Sequence, residues 1–358
     1  VLQVNLDRNE ESRLKQGRRN LVANLVLMSV CENRPPFMAG GKHGGFHDRM
    51  PLHDVGKGLI PKLYTECSND KELAQNEFEL IMDTPMGVYY PNRVENRIAG
   101  EGEELQNGLE MLEEGETVTF RELCKRGYGT RANYMLARSM FWYGLKSKNL
   151  FDRQTGEAFH EIMEVRDLDT GTHQAATASL LLYAINFDAE SRARFDKLLS
   201  KYGFGEDLED TDMFNDAYHD SFYAAYNRQD STYCGEDGSL FLHALFGKTG
   251  RTQLDFLREA MEQVIEPHYA RYHDRPDIEA ALEPLRDIAE TGMTDAEFQR
   301  RNIPDIEAAK RFIAEFDPAL LSGPPKTQHM LYSEGRLSPK LFAAANMDSV
   351  VFMSRRHR

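Results

Sequence analysis

The stretch Asn227-Arg228-Gln229-Asp230-Ser231-Thr232-Tyr233-Cys234-Gly235-Glu236-Asp237-Gly238-Ser239-Leu240-Phe241-Leu242-His243-Ala244-Leu245 decides how this 358-residue chain is read. Ahead of it, the half-apolar run Ser221-Phe222-Tyr223-Ala224-Ala225-Tyr226 reads as a strand. Behind Cys234, Leu240, Phe241, Ala244 and Leu245 form an apolar stripe at helical spacing. A strand would thus deliver a loop carrying Gln229, and Cys234 would open a helix. The free N–H groups and partial positive charge of a helix N-terminus favour thiolate over thiol. The same pattern also fits a small buried Cys ahead of a core helix.

Hydrophobic residues make up 41% of the chain and charged ones 28%, ordinary for a globular protein and too apolar for wholesale disorder. The net charge of −15 argues against general attraction to DNA, RNA or anionic lipid, yet leaves room for a local basic pocket. No run approaches the roughly 18 apolar residues of a membrane span. No secretory signal is evident, and a chain opening on Val1 leaves room for a cleaved leader. Cys31, Cys67, Cys124 and Cys234 lie far apart without a CxxC pair, so free thiols in a reducing compartment are expected.

Residues 1–115 read as an irregular N-terminal arm with helical pieces. Within it, Leu21 to Leu27 suggests a short helix or strand, and Lys71 to Asp83 a helix. His53-Asp54 with Gly56-Lys57 resembles the core signature of HD-type metal phosphohydrolases. Pro51, Gly56 and Gly58 frustrate the helix that motif requires, so no metal site is expected. Residues 116–250 read as a core domain. Thr130 caps a helix through Met135, Leu136 and Met140; Phe159 to Leu168 alternates as a strand; Asp169 to Thr172 is turn chemistry. Leu180 to Phe187 reads as a buried strand ending at Asp188, Ser191 to Tyr202 as a helix, and Glu206 to Asp220 as an acidic loop. Residues 251–358 are helical, with Thr294-Asp295-Ala296-Glu297 as a capping box.

Thiol acyl chemistry needs a thiolate, an imidazole to take its proton, an acid to orient that imidazole and an oxyanion stabiliser. The chain offers His173, Asp188, Gln229 and Cys234 in that order. Together with Glu164 to His173, Ser179 to Ser191 and Ser333-Glu334-Gly335-Arg336-Leu337, this order resembles the CE clan of cysteine enzymes and, within it, the YopJ family of type III effector acetyltransferases. The resemblance implies an α+β fold: a CE-clan (adenain/Ulp-like) papain-like catalytic core with a mixed sheet flanked by helices, plus a helical C-terminal regulatory part. It implies His173 as base, Asp188 as orienter, Cys234 as nucleophile and Gln229 in the oxyanion hole. It further implies acetyl-CoA as donor, inositol hexakisphosphate as activator, and host-protein Ser, Thr or Lys as acceptor after secretion by a bacterium into the host cytoplasm. The resemblance makes Arg126, Arg131, Lys326, His329 and Arg336 the candidate residues for that polyanion. His160 competes with His173 as base, and Glu190 with Asp188 as acid. A protease for ubiquitin-like modifiers and a non-catalytic host-protein-binding effector are the alternatives.

Overall fold

A computed structural model describes residues 2–31, 33, 62–91, 110–113, 116–140, 145–151, 158–168, 171–227, 241–303 and 305–342. The architecture is α+β and mostly helical. Strands β1 (Leu2–Asp7), β6 (Leu145–Phe151) and β7 (Ala158–Leu168) form a sheet in the order β1-β7-β6, and both pairings are antiparallel. The sheet is thus wholly antiparallel where a mixed one was expected. Four two-residue strands, β2 (Pro85–Met86), β3 (Val88–Tyr89), β4 (Glu110–Met111) and β5 (Val118–Thr119), make two small ladders, β2-β5 and β3-β4.

The helix α1 (Arg13–Val30) is the axis of the molecule. Ser12 caps it by accepting from the Lys15 N–H, and nearly every residue along it is buried. It packs on β7, on α2 (Lys62–Glu66) and on α3 (Asp70–Met82). Gly17 sits where α1 crosses α2: a Cβ there would lie 2.1 Å from the Tyr64 ring, so the close approach requires glycine. Residues 2–31 therefore belong to the main core and are not an irregular arm. That core also takes in residues from Leu145 to Ala289. Polar residues at buried α1 positions (Gln16, Arg18, Arg19, Asn20, Asn24) hide the helix's apolar periodicity.

Helices α4 (Phe120–Lys125) and α5 (Arg131–Met140) join Ile81, Met86 and Val118 in a separate small cluster. Thr130 caps α5 as expected, accepting from the Asn133 N–H. Two expected strands are helices instead. Leu180–Phe187 is the second half of α6 (Gln174–Phe187). Its exposed positions, Ala175, Ser179, Tyr183 and Phe187, recur every fourth residue, and Ala and Leu without Gly or Pro sustain the helix. With aromatic residues on two exposed positions, no polar face marks the period. Likewise Ser221–Tyr226 ends α8 (Thr211–Asn227), whose first half was read as an acidic loop. Phe214, Tyr218 and Phe222 stack along one face of α8 at helical spacing. Between them, α7 (Ala189–Lys201) is the helix anticipated there.

The chain continues through α9 (Gln253–Ala260), a π turn (Met261–Ile265), α10 (Glu266–Tyr269) and α11 (Pro276–Thr291). It closes with α12 (Asp295–Asn302), α13 (Ile306–Glu315) and α14 (Gln328–Ser333). These last three carry a hydrophobic cluster of their own, around Phe298, Phe312 and Leu331. No described helix is long and apolar enough to cross a membrane.

Arg19 is fully buried and forks onto Asp196 of α7 at 2.7 and 2.8 Å, with Glu11 at 2.7 and 3.0 Å on its other side. Removing one partner of such a pair strands a buried charge, at a cost of about 3–5 kcal/mol. Arg19→Met should therefore lower the unfolding free energy by about that amount in urea titration. A loss below about 1 kcal/mol would mean that the fork adds little.

Candidate functional site

Cys234, Gln229 and the His53-Asp54 motif lie outside the described residues. The remaining predicted site residues can be placed. His173 and Asp188 are the two caps of α6, at opposite ends of its 14 residues. At 1.5 Å per residue they are about 22 Å apart along the axis. The predicted His173–Asp188 pair is therefore not formed: with a helix in place of the expected strand, its two ends point at different neighbours. Each residue has another partner instead.

At the N-terminal end of α6 three chain segments converge: residues 171–174, residues 293–295 entering α12, and residues 326–328 entering α14. The His173 side chain has no exposure, and its Nε2 lies 3.5 Å from Oδ2 of the equally buried Asp295. Its Nδ1 is 3.0 Å from the Thr177 hydroxyl, one turn along the helix. The Gln174 amide nitrogen reaches Asp295 Oδ2 at 2.9 Å and His173 Nε2 at 3.2 Å, and its oxygen accepts from the His173 N–H. The amide is a donor, so the resting imidazole accepts at Nε2 and donates from Nδ1 to Thr177. Asp295 Oδ1 accepts from the Gln328 N–H at 2.6 Å, so one carboxylate serves α6 and α14 together. Asn33 Oδ1 accepts from both Gln299 and Gln328, and the Thr172 hydroxyl donates to the Lys326 carbonyl. Gly171 fits because a Cβ there would lie 2.4 Å from both Asn33 Nδ2 and Gln174 Oε1.

A described thiol also borders this cluster. Cys31 is buried and its Sγ donates to the Gln174 carbonyl at 3.8 Å. It caps the C-terminal end of α1, where the negative end of the dipole disfavours thiolate. Of the other two described cysteines, Cys67 is buried and Cys124 exposed.

At the other end of α6, Asp188 caps α7 by accepting from the Ser191 N–H. Its carboxylate also holds Ser191 Oγ at 2.6 Å and both Arg271 terminal nitrogens at 3.1 and 3.2 Å, with His268 Nδ1 at 3.5 Å. The Ser191 hydroxyl foremost, with Arg271 and His268, keeps this carboxyl well below the usual carboxylate range. His160 lies on β7, half-exposed, 2.9 Å from Asp7 of β1; Glu190 is exposed and pairs with Arg194. Neither shares a contact with the His173 cluster.

The predicted polyanion residues divide. Arg126 and Arg131 belong to the α4–α5 unit, whereas Lys326, His329 and Arg336 gather around α14. Each of the latter faces an acid: Lys326 meets Glu334 at 2.6 Å and Glu283 at 3.6 Å, Arg336 meets Glu334 at 3.8 Å, and His329 meets Asp287 at 3.0 Å. An anion there would have to displace those carboxylates. Among the described residues no cluster of His, Cys, Asp and Glu has the make-up of a metal site.

Sequence reasoning missed Asp295 and His268. Asp295 was legible as the first residue of a capped helix, but its burial against His173 has no local signal. Compared with known protein families, curated proteins and solved structures, the chain matches none.

Asp295→Asn would set an amide donor against the Gln174 donor or the Gln328 N–H. A buried donor left unsatisfied costs about 1–3 kcal/mol. The variant should lose stability by about that amount, and limited proteolysis should release the segment from α12 onward before the main core is cut. Wild-type resistance throughout would mean that the carboxylate is not holding the three segments.

Proposed function

We propose that the chain is a thiol-dependent acetyltransferase akin to the YopJ family, with Cys234 as nucleophile and His173 as base, and with Asp295 rather than Asp188 as the acid that steadies the imidazole. The observation that carries this reading is the buried imidazole of His173 between Asp295 and Thr177. An imidazole that takes a proton becomes a donor at both nitrogens; here Nε2–H would meet a carboxylate and Nδ1–H a hydroxyl.

In the proposed cycle His173 takes the Cys234 thiol proton. The thiolate attacks the acetyl carbonyl, the carbon–sulfur bond to coenzyme A breaks, and the departing thiolate recovers the proton from His173. A hydroxyl or amine of a host protein then attacks the Cys234 thioester, giving its proton to His173, and the Cys234 thiolate leaves. Gln229 is the proposed oxyanion donor. As parts of the same proposal, the CE-clan core is a divergent one built on β1-β7-β6, inositol hexakisphosphate is the activator, and the protein acts after secretion into a host cell. The absence of solvent exposure at His173 favours a second reading, in which the cluster is structural and the protein acts by binding a host protein.

Incubation with labelled acetyl-CoA and inositol hexakisphosphate tests the first reading. Auto-acetylation is expected in the wild type. It should fall by about 100-fold or more in Cys234→Ala and His173→Ala, the scale of a lost general base, and change little in Asp188→Asn. No label in the wild type, or full activity in Cys234→Ala, would sink the proposal. Labelling by a ubiquitin-like C-terminal electrophile without acetylation would turn it toward a protease.

A further inference from the structure

The second histidine–acid assembly, at the C-terminal end of α6, stands apart from the proposed acyl transfer. Its imidazole, His268, is only 2% exposed. His268 Nδ1 lies 3.0 Å from Ser191 Oγ, whose own proton goes to Asp188 at 2.6 Å, so Nδ1–H donates to the hydroxyl. The neutral ring is thereby held with its lone pair on Nε2. That Nε2 is buried and has no hydrogen-bond partner among the described residues.

Aromatic rings surround it: Tyr269 at 4.5 Å, Tyr183 at 6.0 Å and Tyr272 at 6.1 Å between centroids. The Tyr269 hydroxyl is already committed to the Leu180 carbonyl. Just upstream, Pro267 has no N–H to give the preceding turn, and the helix widens into the π turn Met261–Ile265 before it. A helix interrupted in this way can hinge where a regular one cannot.

We propose that His268 is a proton-operated latch, which closes α7 and α10 onto the end of α6 while neutral and releases them when protonated. Protonation would create an N–H at Nε2, a buried atom for which the surrounding tyrosine rings are poor acceptors. The charged groups facing the imidazole do not offset this. Asp188 attracts the cation, but Arg271 already forks onto that carboxylate and repels it. Glu190 acts on Arg271 rather than on the ring.

Burial lowers the proton affinity of His268 from the ordinary value of 6.5. The open form therefore binds the proton more readily than the closed one. The latch holds fully above about pH 6.5 and weakens as pH falls below it, by at most about tenfold per pH unit for one proton. Asp188 stays ionised through this window, so the imidazole alone titrates there.

Hydrogen exchange on the full chain at pH 7.5 and 5.5, corrected for intrinsic rates, tests this. Protection of residues 189–195 and 264–272 should fall several-fold at pH 5.5, while α1 keeps its protection. In His268→Asn, whose amide can still donate to Ser191 but does not titrate, the pH dependence should vanish. Arg271→Met, an exposed position, removes the repelling charge and should shrink the loss should His268→Asn not fold. Equal loss in α1, an undiminished loss in either variant, or no loss in the wild type would overturn the latch.

Discussion

Two consecutive guanidinium groups, Arg18 and Arg19, lie fully buried on α1, and the surrounding elements are arranged to satisfy them. Arg19 has carboxylates. Among the described residues Arg18 has no carboxylate in hydrogen-bonding reach; it donates to the Thr211 hydroxyl and to main-chain oxygens, Tyr64 at 3.0 Å and Cys67 at 2.8 Å on one side, Leu208 at 2.7 Å and Glu209 at 3.2 Å on the other. The carbonyls from residues 208 and 209 come from a turn in which Asp207 and Leu208 both take positive φ, 52° and 60°. A branched residue such as Leu does so at a cost of about 1–2 kcal/mol. Bonds to a charged group, each worth about 1.5–3 kcal/mol, offset that strain. The guanidinium also lies 4.9 Å from the Phe214 ring, which brings the start of α8 into the same arrangement. A turn, a loop and two helices are thus positioned by one side chain.

The next constraint out from α1 is α6. Asn20 and Asn186 exchange amide hydrogen bonds at 3.0 and 2.8 Å, and Gln16 adds a third at 3.3 Å, which fixes the rotation of α6 against α1. With rotation set, the two ends of α6 have no freedom in their partners. His173 meets α12 and α14, and Asp188 meets α7 and the segment after the π turn. Both histidine–acid contacts join residues about 80 to 120 positions apart in sequence, which follows from α6 spanning the core and not from any short motif.

This separation explains what could be read in advance. The helix Ala189–Lys201 was legible because Phe195, Leu198 and Leu199 recur at helical spacing and are buried, and the helix Asp70–Met82 was legible with a mixed face. The Thr130 and Thr294 caps and the alternating strand β7 were legible for similar local reasons. In α6, however, Tyr183 and Phe187 occupy the exposed stripe, so periodicity had no polar face to show. In α1 the reverse holds: polar residues occupy buried positions because they bind each other and the chain around them. The pairing of His173 with Asp188 came from the order of residue types along the chain, and the helix between them holds the two apart.

The C-terminal helices show what such polar contacts accomplish that apolar ones do not. Phe298, Phe312 and Leu331 form a core separate from the one around α1, so apolar packing within that core does not determine how the two are joined. The His173–Gln174–Asp295–Gln328–Asn33 network supplies directional contacts between them. Such contacts fix one docking geometry, because a displaced amide or carboxylate leaves buried partners unsatisfied. His173 Nε2 accepts from the Gln174 amide and lies 3.5 Å from Asp295, the carboxylate that also takes the Gln328 N–H at the start of α14. The orientation of the His173 ring and the seating of the C-terminal helices are therefore physically coupled through Asp295.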